Sequence, residues 1–196
     1  MTTPYSDQTE VLRSLLATKP KAADLLIAID GFSGSGKSTL SQILAQLDTR
    51  VIVVHMDDFY RPMPEDEGLK LSPAKGFSRY FDWERLRDQV LLPLSQSKRE
   101  ISYQVYDWTT KSLGRWEYFQ SRGVVIIEGV YSTRAELRKF VDCSIFVDTS
   151  ESVRQTRMEA RQQDAVAWRD KWLAAERYYN EQESPSNHAT LILRGE

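Results

Sequence analysis

Residues 31–38 read GFSGSGKS, a pattern that constrains both the fold and the chemistry of the chain. One glycine, four further residues and then Gly-Lys with Ser or Thr form a loop that surrounds phosphate with backbone N–H groups. Glycine permits the positive φ angles of such a loop and has no Cβ to block the ligand. An apolar run at 25–30 precedes the loop and a helical pattern at 37–47 follows it. We therefore predict a strand, a phosphate-binding loop and a helix in succession.

The residues of this phosphate loop, 31–38, have distinct expected contacts. Lys37 is expected to reach the β- and γ-phosphates of a nucleotide, and the hydroxyl of Ser38 to bind the accompanying Mg²⁺. The helix that begins near Lys37 points the positive end of its dipole at the same anion. A Gly/Ser turn between a strand and a helix is the structural alternative. The nucleotide-binding residues that we predict here are Gly31, Ser33, Gly34, Ser35, Gly36, Lys37, Ser38 and Thr39.

The composition excludes several classes of protein. The 196 residues are 41% hydrophobic and 28% charged, as in a globular domain and unlike a disordered or fibrous chain. Lys and Arg number 26 against 28 Asp and Glu, and without a basic excess we expect no nucleic-acid partner. The single cysteine, Cys143, leaves no disulfide framework and no Cys-rich zinc site. We find no signal-peptide pattern at 1–10 and no apolar stretch near the ~20 residues of a membrane helix, so we expect a cytoplasmic protein without a membrane partner.

Short apolar strands alternate with helical patterns along the chain. This order predicts an α/β fold with a parallel sheet. Because no segment has the composition of a linker, we predict one domain over 1–196 that opens with a helix within 1–20. The predicted strands lie at 25–30, 50–56, 123–128, 143–148 and 189–193, with a further strand or hairpin arm at 101–108. The predicted helices lie at 7–18, 37–47, 83–95, 149–163 and 166–183.

The segment 61–80 is predicted to be a long loop or lid. Loops of this length in a compact domain are usually functional, so we expect the segment to border the site. The residues that suggest a loop are Pro62, Pro64, Gly68, Pro73 and Gly76.

Carboxylates follow two of the predicted strands. Asp57 and Asp58 follow the strand at 50–56, and Glu128 ends the strand at 123–128. Ligands bind at the carboxyl ends of strands in open α/β sheets, where a carboxylate can accept a proton from a hydroxyl or hold Mg²⁺. Acidic residues that only cap a loop are the structural alternative. The GTPase motifs N-K-x-D and D-x-x-G and the L-S-G-G-Q signature of transporter ATPases are absent from the sequence, which favours a small kinase.

The order of the motifs resembles that of the uridine kinase / phosphoribulokinase superfamily. GFSGSGKS is followed by DDFYRP at 57–62, FDW at 81–83, YDW at 106–108, IIEG at 126–129 and VDTSESVRQTRMEAR at 147–161. The resemblance covers about residues 25–193 and is greatest to small bacterial uridine kinase-like proteins. It implies a three-layer P-loop fold with five parallel strands in the order 2-3-1-4-5, an acceptor-site insertion at 61–120 and an Arg-bearing helical lid at 150–165. It also implies transfer of a phosphoryl group from ATP, with Mg²⁺, to a hydroxyl of a small-molecule acceptor.

The resemblance implies a role for each matching residue. Asp57 matches the catalytic base, which also lies beside the magnesium ion, and Glu128 matches a second carboxylate at the metal, where Ser38 completes the set. The residues that match the acceptor pocket are Tyr60, Asp82 and Tyr106. The lid arginines of the superfamily match Arg154, Arg157 and Arg161, which share one helix face. Of the three arginines, we assign Arg154 to acceptor binding and Arg157 to nucleotide binding. Arg161 is assigned to catalysis, together with Lys37 and Asp57. A solvated basic stripe is the structural alternative.

The acceptor is less constrained than the reaction. Uridine kinases continue the Tyr-Asp segment with Thr-His-Ser-Arg, whereas residues 109–113 read TTKSL, which puts Lys111 where the base-reading histidine would fall. We expect a ribose-like or polyol acceptor, uridine or cytidine first, with nicotinamide riboside, pantothenate, glycerate or a sugar as alternatives. A nucleotide-binding regulatory module without transfer activity and a nucleotide-dependent switch are the alternatives from other classes. The oligomeric state stays open.

Three further features receive no catalytic role. Trp168, Trp172, Glu176 and Tyr179 recur at helical spacing, which we interpret as a packing stripe. The aromatic residues around YDW fit either a cover for a ring-bearing acceptor or hairpin packing. The two histidines, His55 and His188, lack the spacing of a metal site.

Overall fold

Five parallel strands form the central sheet of the computed structural model, which describes residues 5, 8–20, 22–161 and 166–195. These strands are β1 (Leu25–Asp30), β2 (Val51–His55), β5 (Val124–Glu128), β6 (Cys143–Asp148) and β7 (Leu191–Arg194). Their order across the sheet is β2-β5-β1-β6-β7, and every neighbouring pair is parallel. Counted along the chain as five parallel strands, this is the predicted order 2-3-1-4-5, which is confirmed.

Helices cover both faces of the sheet, which makes three layers. The central strands β1 and β5 are buried along their whole length, as expected for strands that carry apolar residues on both faces. Ile27 and Ile29 of β1 pack in one apolar cluster, whereas Leu26 packs in the cluster on the opposite face. The predicted three-layer α/β fold is therefore confirmed.

The described helices differ widely in length. They are α1 (Thr9–Leu16), α2 (Lys37–Leu47), α3 (Glu65–Lys70), α4 (Pro73–Arg79), α5 (Trp83–Leu86), α6 (Leu92–Ser95), α7 (Glu151–Arg161) and α8 (Val166–Glu183). A π-helical segment, Arg87–Leu91, joins α5 to α6, so the helix predicted at 83–95 is present with an irregular middle. No helix in the described segments is long and apolar enough to cross a membrane.

The segment 61–80 corrects one expectation, because it contains two short helices and is not a continuous loop. Proline is compatible with a helix start, and Pro73 lies in the first turn of α4. Gly76 reflects close packing: a Cβ there would lie 2.6 Å from the ring of Tyr80 and 3.0 Å from Ala175 of α8. At Gly68 of α3 a Cβ would overlap the ring of Trp168, also on α8. These glycines bring both helices against α8.

A separate antiparallel hairpin consists of β3 (Glu100–Asp107) and β4 (Ser112–Gln120), and its first strand packs in one of the two apolar clusters. The alternation at 101–108 predicted its first arm. The second arm, β4, was not predicted. Its residues are exposed or half-exposed on both faces, so the sequence has no clear apolar alternation there.

Candidate active site

The phosphate loop connects β1 to α2, as the motif requires. Its glycines at 31, 34 and 36 have φ angles of 143°, 78° and 103°, in the region where side chains are strained. A Cβ at Gly34 would lie 2.7 Å from the carbonyl oxygen of Arg154. The loop is thus fixed by α7 on its outer side, while its inner side faces a cavity.

This cavity of about 440 Å³ lies at the carboxyl end of the sheet. Ser33, Gly34, Lys37 and Ser38 form one wall, and Asp57 and Glu128 line it from the ends of two neighbouring strands. The parallel register explains this meeting, because Glu128 of β5 pairs with His55, two residues before Asp57. Helix α8 supplies a further part of the lining.

Ser38, Glu128 and His55 form a hydrogen-bonded row beside the phosphate loop. Ser38 Oγ donates to Glu128 Oε1 at 3.1 Å. His55 Nδ1 lies 2.8 Å from Glu128 Oε2, and because a carboxylate only accepts, the ring nitrogen is the donor. This hydrogen bond raises the pKa of His55. Burial acts to raise the pKa of Glu128, but the hydrogen bond from His55 and the charge of Lys37 outweigh it, so the pKa of Glu128 is lowered.

The two neighbouring aspartates point to different places. Asp57 faces the cavity, and its removal from bulk water, together with the charge of Glu128, raises its pKa to about 6. Asp58 instead accepts a hydrogen bond of 3.2 Å from Tyr103 of the hairpin, and it is not among the residues that line the cavity. Of the two, Asp57 therefore has the position that a base for an acceptor hydroxyl requires.

The oxygen atoms of Ser38, Asp57 and Glu128 fit a magnesium ion. Hard carboxylate and hydroxyl oxygens are the ligands that Mg²⁺ takes, usually from one or two carboxylates together with phosphates and water. No group of three or more His, Cys, Asp or Glu side chains in the described chain is arranged to hold a metal without such partners. The donor set matches an ion that arrives with a nucleotide.

The described lid arginines lie behind the phosphate loop and do not line the cavity. The guanidinium of Arg154 lies 4.4 Å from the ring centre of Phe32, and its Nε donates to Thr149 O at 3.1 Å. Arg157 donates to Gly34 O at 3.2 Å and to Gly195 O at 2.7 Å. These positions differ from the expected contacts with acceptor and nucleotide, because both guanidinium groups fix the outer side of the loop. The side chain of Arg161 lies outside the described part of the chain.

Helix α8 supplies a cation that the sequence analysis missed. Arg169 lines the cavity together with residues of the phosphate loop. Trp172, Leu173 and Glu176 line the same wall. The sequence analysis interpreted the helical stripe that contains Trp172 and Glu176 as packing. An ionisable residue, Glu176, among aromatic residues was the sequence feature that indicated a functional face.

The residues expected in the acceptor pocket form an aromatic cluster beside the cavity. The ring centres of Tyr60 and Tyr106 are 4.9 Å apart, and that of Trp108 is 4.9 Å from Tyr60. Trp172, which lines the cavity, has its ring centre 6.3 Å from that of Tyr60. The predicted pair Tyr60 and Tyr106 is thus brought together one layer behind the cavity wall.

Asp82 and Lys111 are held by other side chains. Asp82 caps α5 by accepting from the backbone N–H of Arg85 at 3.2 Å, and it also accepts from Arg61 at 3.3 Å. Lys111 forms a salt bridge with Glu65. Neither residue is among those that line the cavity, whereas Phe81, next to Asp82, does line it.

The geometry agrees with comparisons to known proteins. The family model described as "Phosphoribulokinase / Uridine kinase family" matches residues 26–180. The uridine kinase of Latilactobacillus sakei subsp. sakei is 26% identical over 152 residues, which are 76% of this chain and 71% of the relative. The pantothenate kinase of Ligilactobacillus salivarius is 28% identical over 153 residues, 70% of this chain, but the match spans only 49% of that longer relative.

A solved structure described as a possible uridine kinase from Bacillus stearothermophilus has the same fold. It superposes with a TM-score of 0.72 at 26% identity and covers 94% of this chain and 96% of its own. The match to the family model includes the phosphate loop, both strand-end carboxylates and most of α8. The chain therefore belongs to the phosphoribulokinase/uridine kinase family and is a small-molecule kinase with a P-loop fold.

Proposed function

We propose that this kinase transfers the γ-phosphoryl group of ATP to a hydroxyl of a nucleoside such as uridine or cytidine. The observation that carries the proposal is the position of Asp57, which faces the phosphate loop across one cavity beside Glu128. A hydroxyl placed between Asp57 and the loop has a proton acceptor on one side and a phosphate site on the other.

The residues of the chain have separate tasks in this reaction. Lys37 and the N–H groups of the loop bind the β- and γ-phosphates and neutralise their charge. Asp57 accepts the proton of the acceptor's hydroxyl while the oxygen of that hydroxyl forms a bond to the γ-phosphorus. The bond from the γ-phosphorus to the bridging oxygen of the β-phosphate breaks, which releases ADP. Arg169 lines the same cavity, and we assign to it the stabilisation of charge on the transferred group. Ser38, Asp57 and Glu128 would hold Mg²⁺, which would neutralise charge at the phosphates.

The proposal for a nucleoside rests on the acceptor side of the cavity. Phe81, Tyr131 and Trp172 line it with aromatic surface, which suits a planar ring next to a hydroxylated sugar. Asp82 is the proposed ligand of the sugar hydroxyls, since a carboxylate can accept from two adjacent hydroxyls. Because Asp82 does not line the cavity, its side chain has to exchange Arg61 for the acceptor and turn towards the cavity for that role.

An ADP-release assay with a panel of acceptors tests the proposal. The panel contains uridine, cytidine, nicotinamide riboside, pantothenate, glycerate and a sugar, each with MgATP. We expect uridine or cytidine to give the highest kcat/KM, and Asp57→Asn to abolish the acceptor-dependent part. Preference for pantothenate or glycerate would contradict the nucleoside assignment and leave the kinase mechanism in place. ATP binding with no turnover on any acceptor would indicate a regulatory module.

A further inference from the structure

Helix α8 presents one face to the cavity. Arg169, Trp172, Leu173 and Glu176 line the cavity at spacings of three, one and three residues, which places them on one side of a helix. The same face therefore combines a cation, an aromatic surface and a carboxylate. The position of this helix determines where Arg169 and Trp172 lie relative to the phosphate loop.

Glu176 connects this face directly to the phosphate loop. Its side chain is nearly inaccessible, with 3% exposed, and it accepts hydrogen bonds from Ser33 N at 2.9 Å and Ser33 Oγ at 2.5 Å. A buried carboxylate is costly unless its oxygens are paired, and packing alone would be satisfied by an apolar residue. Both donors come from a single residue of the loop. The arrangement therefore couples α8 to Ser33 specifically.

A second connection holds the helix one turn further on. Tyr179 donates to Asp30 Oδ2 at 2.7 Å, and the other carboxylate oxygen of Asp30 accepts from Gly31 N at 2.7 Å. Helix α8 is thus bonded to both the end of β1 and the third residue of the phosphate loop. The Tyr179 connection lies outside the cavity, whereas the Glu176 connection lines it.

We propose that Glu176 is a positioning residue for phosphoryl transfer, which ties α8 to Ser33 so that nucleotide binding at the loop fixes Arg169 and Trp172 over the site. The proposal rests on the proposed function for its chemistry, but the coupling itself is measurable with nucleotide alone. Misplacement of reacting groups by about 1 Å can cost on the order of 10²-fold in rate. Loss of the connection should therefore lower kcat more than it weakens ATP binding.

The test compares Glu176→Ala with Glu176→Gln in the full chain. The amide oxygen of glutamine can still accept from Ser33, so Glu176→Gln should keep most of kcat, whereas Glu176→Ala should lose about 10- to 100-fold. Calorimetry with MgATP should show affinity changed by less than about tenfold in both. Glu181→Ala, an exposed position on the same helix, is the matched control and should behave as wild type.

Tryptophan emission gives a readout that a purely structural role would not change. MgATP should alter the emission of the wild type through Trp172, as shown by a smaller change in Trp172→Phe. Glu176→Ala should still bind MgATP, but most of the change in tryptophan emission on binding should be lost. An unaltered emission change and kcat in Glu176→Ala would overturn the proposal, as would equal losses in Glu176→Gln and Glu176→Ala.

A partner variant keeps the test decisive if Glu176→Ala does not fold. Ser33→Ala removes the hydroxyl donor and leaves the backbone N–H donor. Its kcat should therefore fall, but by less than that of Glu176→Ala. Where Glu176→Ala does fold, the losses in the double variant of Ser33→Ala and Glu176→Ala should be less than additive, because both substitutions remove one interaction. Full additivity would contradict a connection between the two residues. Failure of the wild type to bind MgATP in calorimetry would instead refute the proposed function.

Discussion

The hydroxyl of Ser38 donates a 3.1 Å hydrogen bond to Glu128, which joins the start of α2 to the end of β5. This contact brings together a residue predicted from the phosphate-loop motif and a residue predicted from its place at the end of an apolar strand and from the family resemblance. The two lie 90 positions apart in the sequence. Their meeting is the observation on which the proposed magnesium site rests.

Glu128→Gln should raise the Mg²⁺ concentration needed for half-maximal activity, with a smaller effect on the KM of the acceptor. A carboxylate at the metal acts through the ion, and the amide binds it less strongly. The measurement is activity titrated against Mg²⁺ at fixed ATP. A titration curve that overlays that of the wild type would remove Glu128 from the metal site.

Lys37→Ala should abolish transfer without unfolding the protein. The ammonium lines the cavity and donates to Phe32 O at 3.0 Å, so its removal takes a preorganised charge from the phosphate site. The expected loss in kcat is on the order of 10²-fold or more. Lys98→Ala, at an exposed position, is the control. Wild-type turnover in Lys37→Ala would contradict the role of the loop.

Asp57→Asn should keep ATP binding and lose about 10²- to 10⁴-fold in kcat, because an amide cannot take the proton of the acceptor. Asp58→Asn is the matched comparison, since Asp58 is bonded to Tyr103 away from the cavity. It should lose far less. If Asp58→Asn proves the more damaging variant, the base has been assigned to the wrong aspartate.

Arg169→Ala should reduce kcat more than it reduces ATP affinity in the absence of acceptor. We propose that its guanidinium, which lines the cavity, acts on the transferred group, whereas Arg157 holds the outer side of the loop. The same measurement on Arg161→Ala tests the lid residue that the motif predicted. Lost nucleotide affinity with unchanged kcat would assign Arg169 to ground-state binding.

Gly76→Ala should destabilise the fold by about 1–3 kcal/mol, since the added Cβ overpacks the contact between α4 and α8. Thermal unfolding should show a drop of several degrees, at roughly 2–4 °C per kcal/mol. Ser78→Ala, exposed on the same helix, should change stability by less than ~0.5 kcal/mol. A Tm equal to that of the wild type would show that α4 can shift away from α8.

The parts of the fold that follow a local pattern could be predicted from the sequence. The strand–loop–helix unit around residues 31–38 is specified by glycine spacing and apolar runs, and the resemblance supplied the strand order. The helices within 61–80 were missed because Gly68 and Gly76 have a tertiary reason, their contact with α8, that no local pattern reveals.

The hydrogen-bond partners of the site residues were less predictable from the sequence than the positions of those residues in the fold. Arg154 and Arg157 have the spacing of lid arginines, yet both are held behind the phosphate loop. Arg154 donates to the carbonyl of Thr149 and lies over the ring of Phe32, and Arg157 donates to the carbonyl of Gly34. His55 gained a partner only because β2 lies next to β5 in register. Glu176 was hidden in an aromatic stripe, and its partner Ser33 lies 143 residues away.

The most direct test of the account follows the γ-phosphate of labelled ATP in the presence of uridine or cytidine. If the chain is a nucleoside kinase with Asp57 as base, the label should appear in the nucleoside monophosphate, and Asp57→Asn should abolish that product. Label released only as inorganic phosphate, at a rate independent of the acceptor, would contradict phosphoryl transfer.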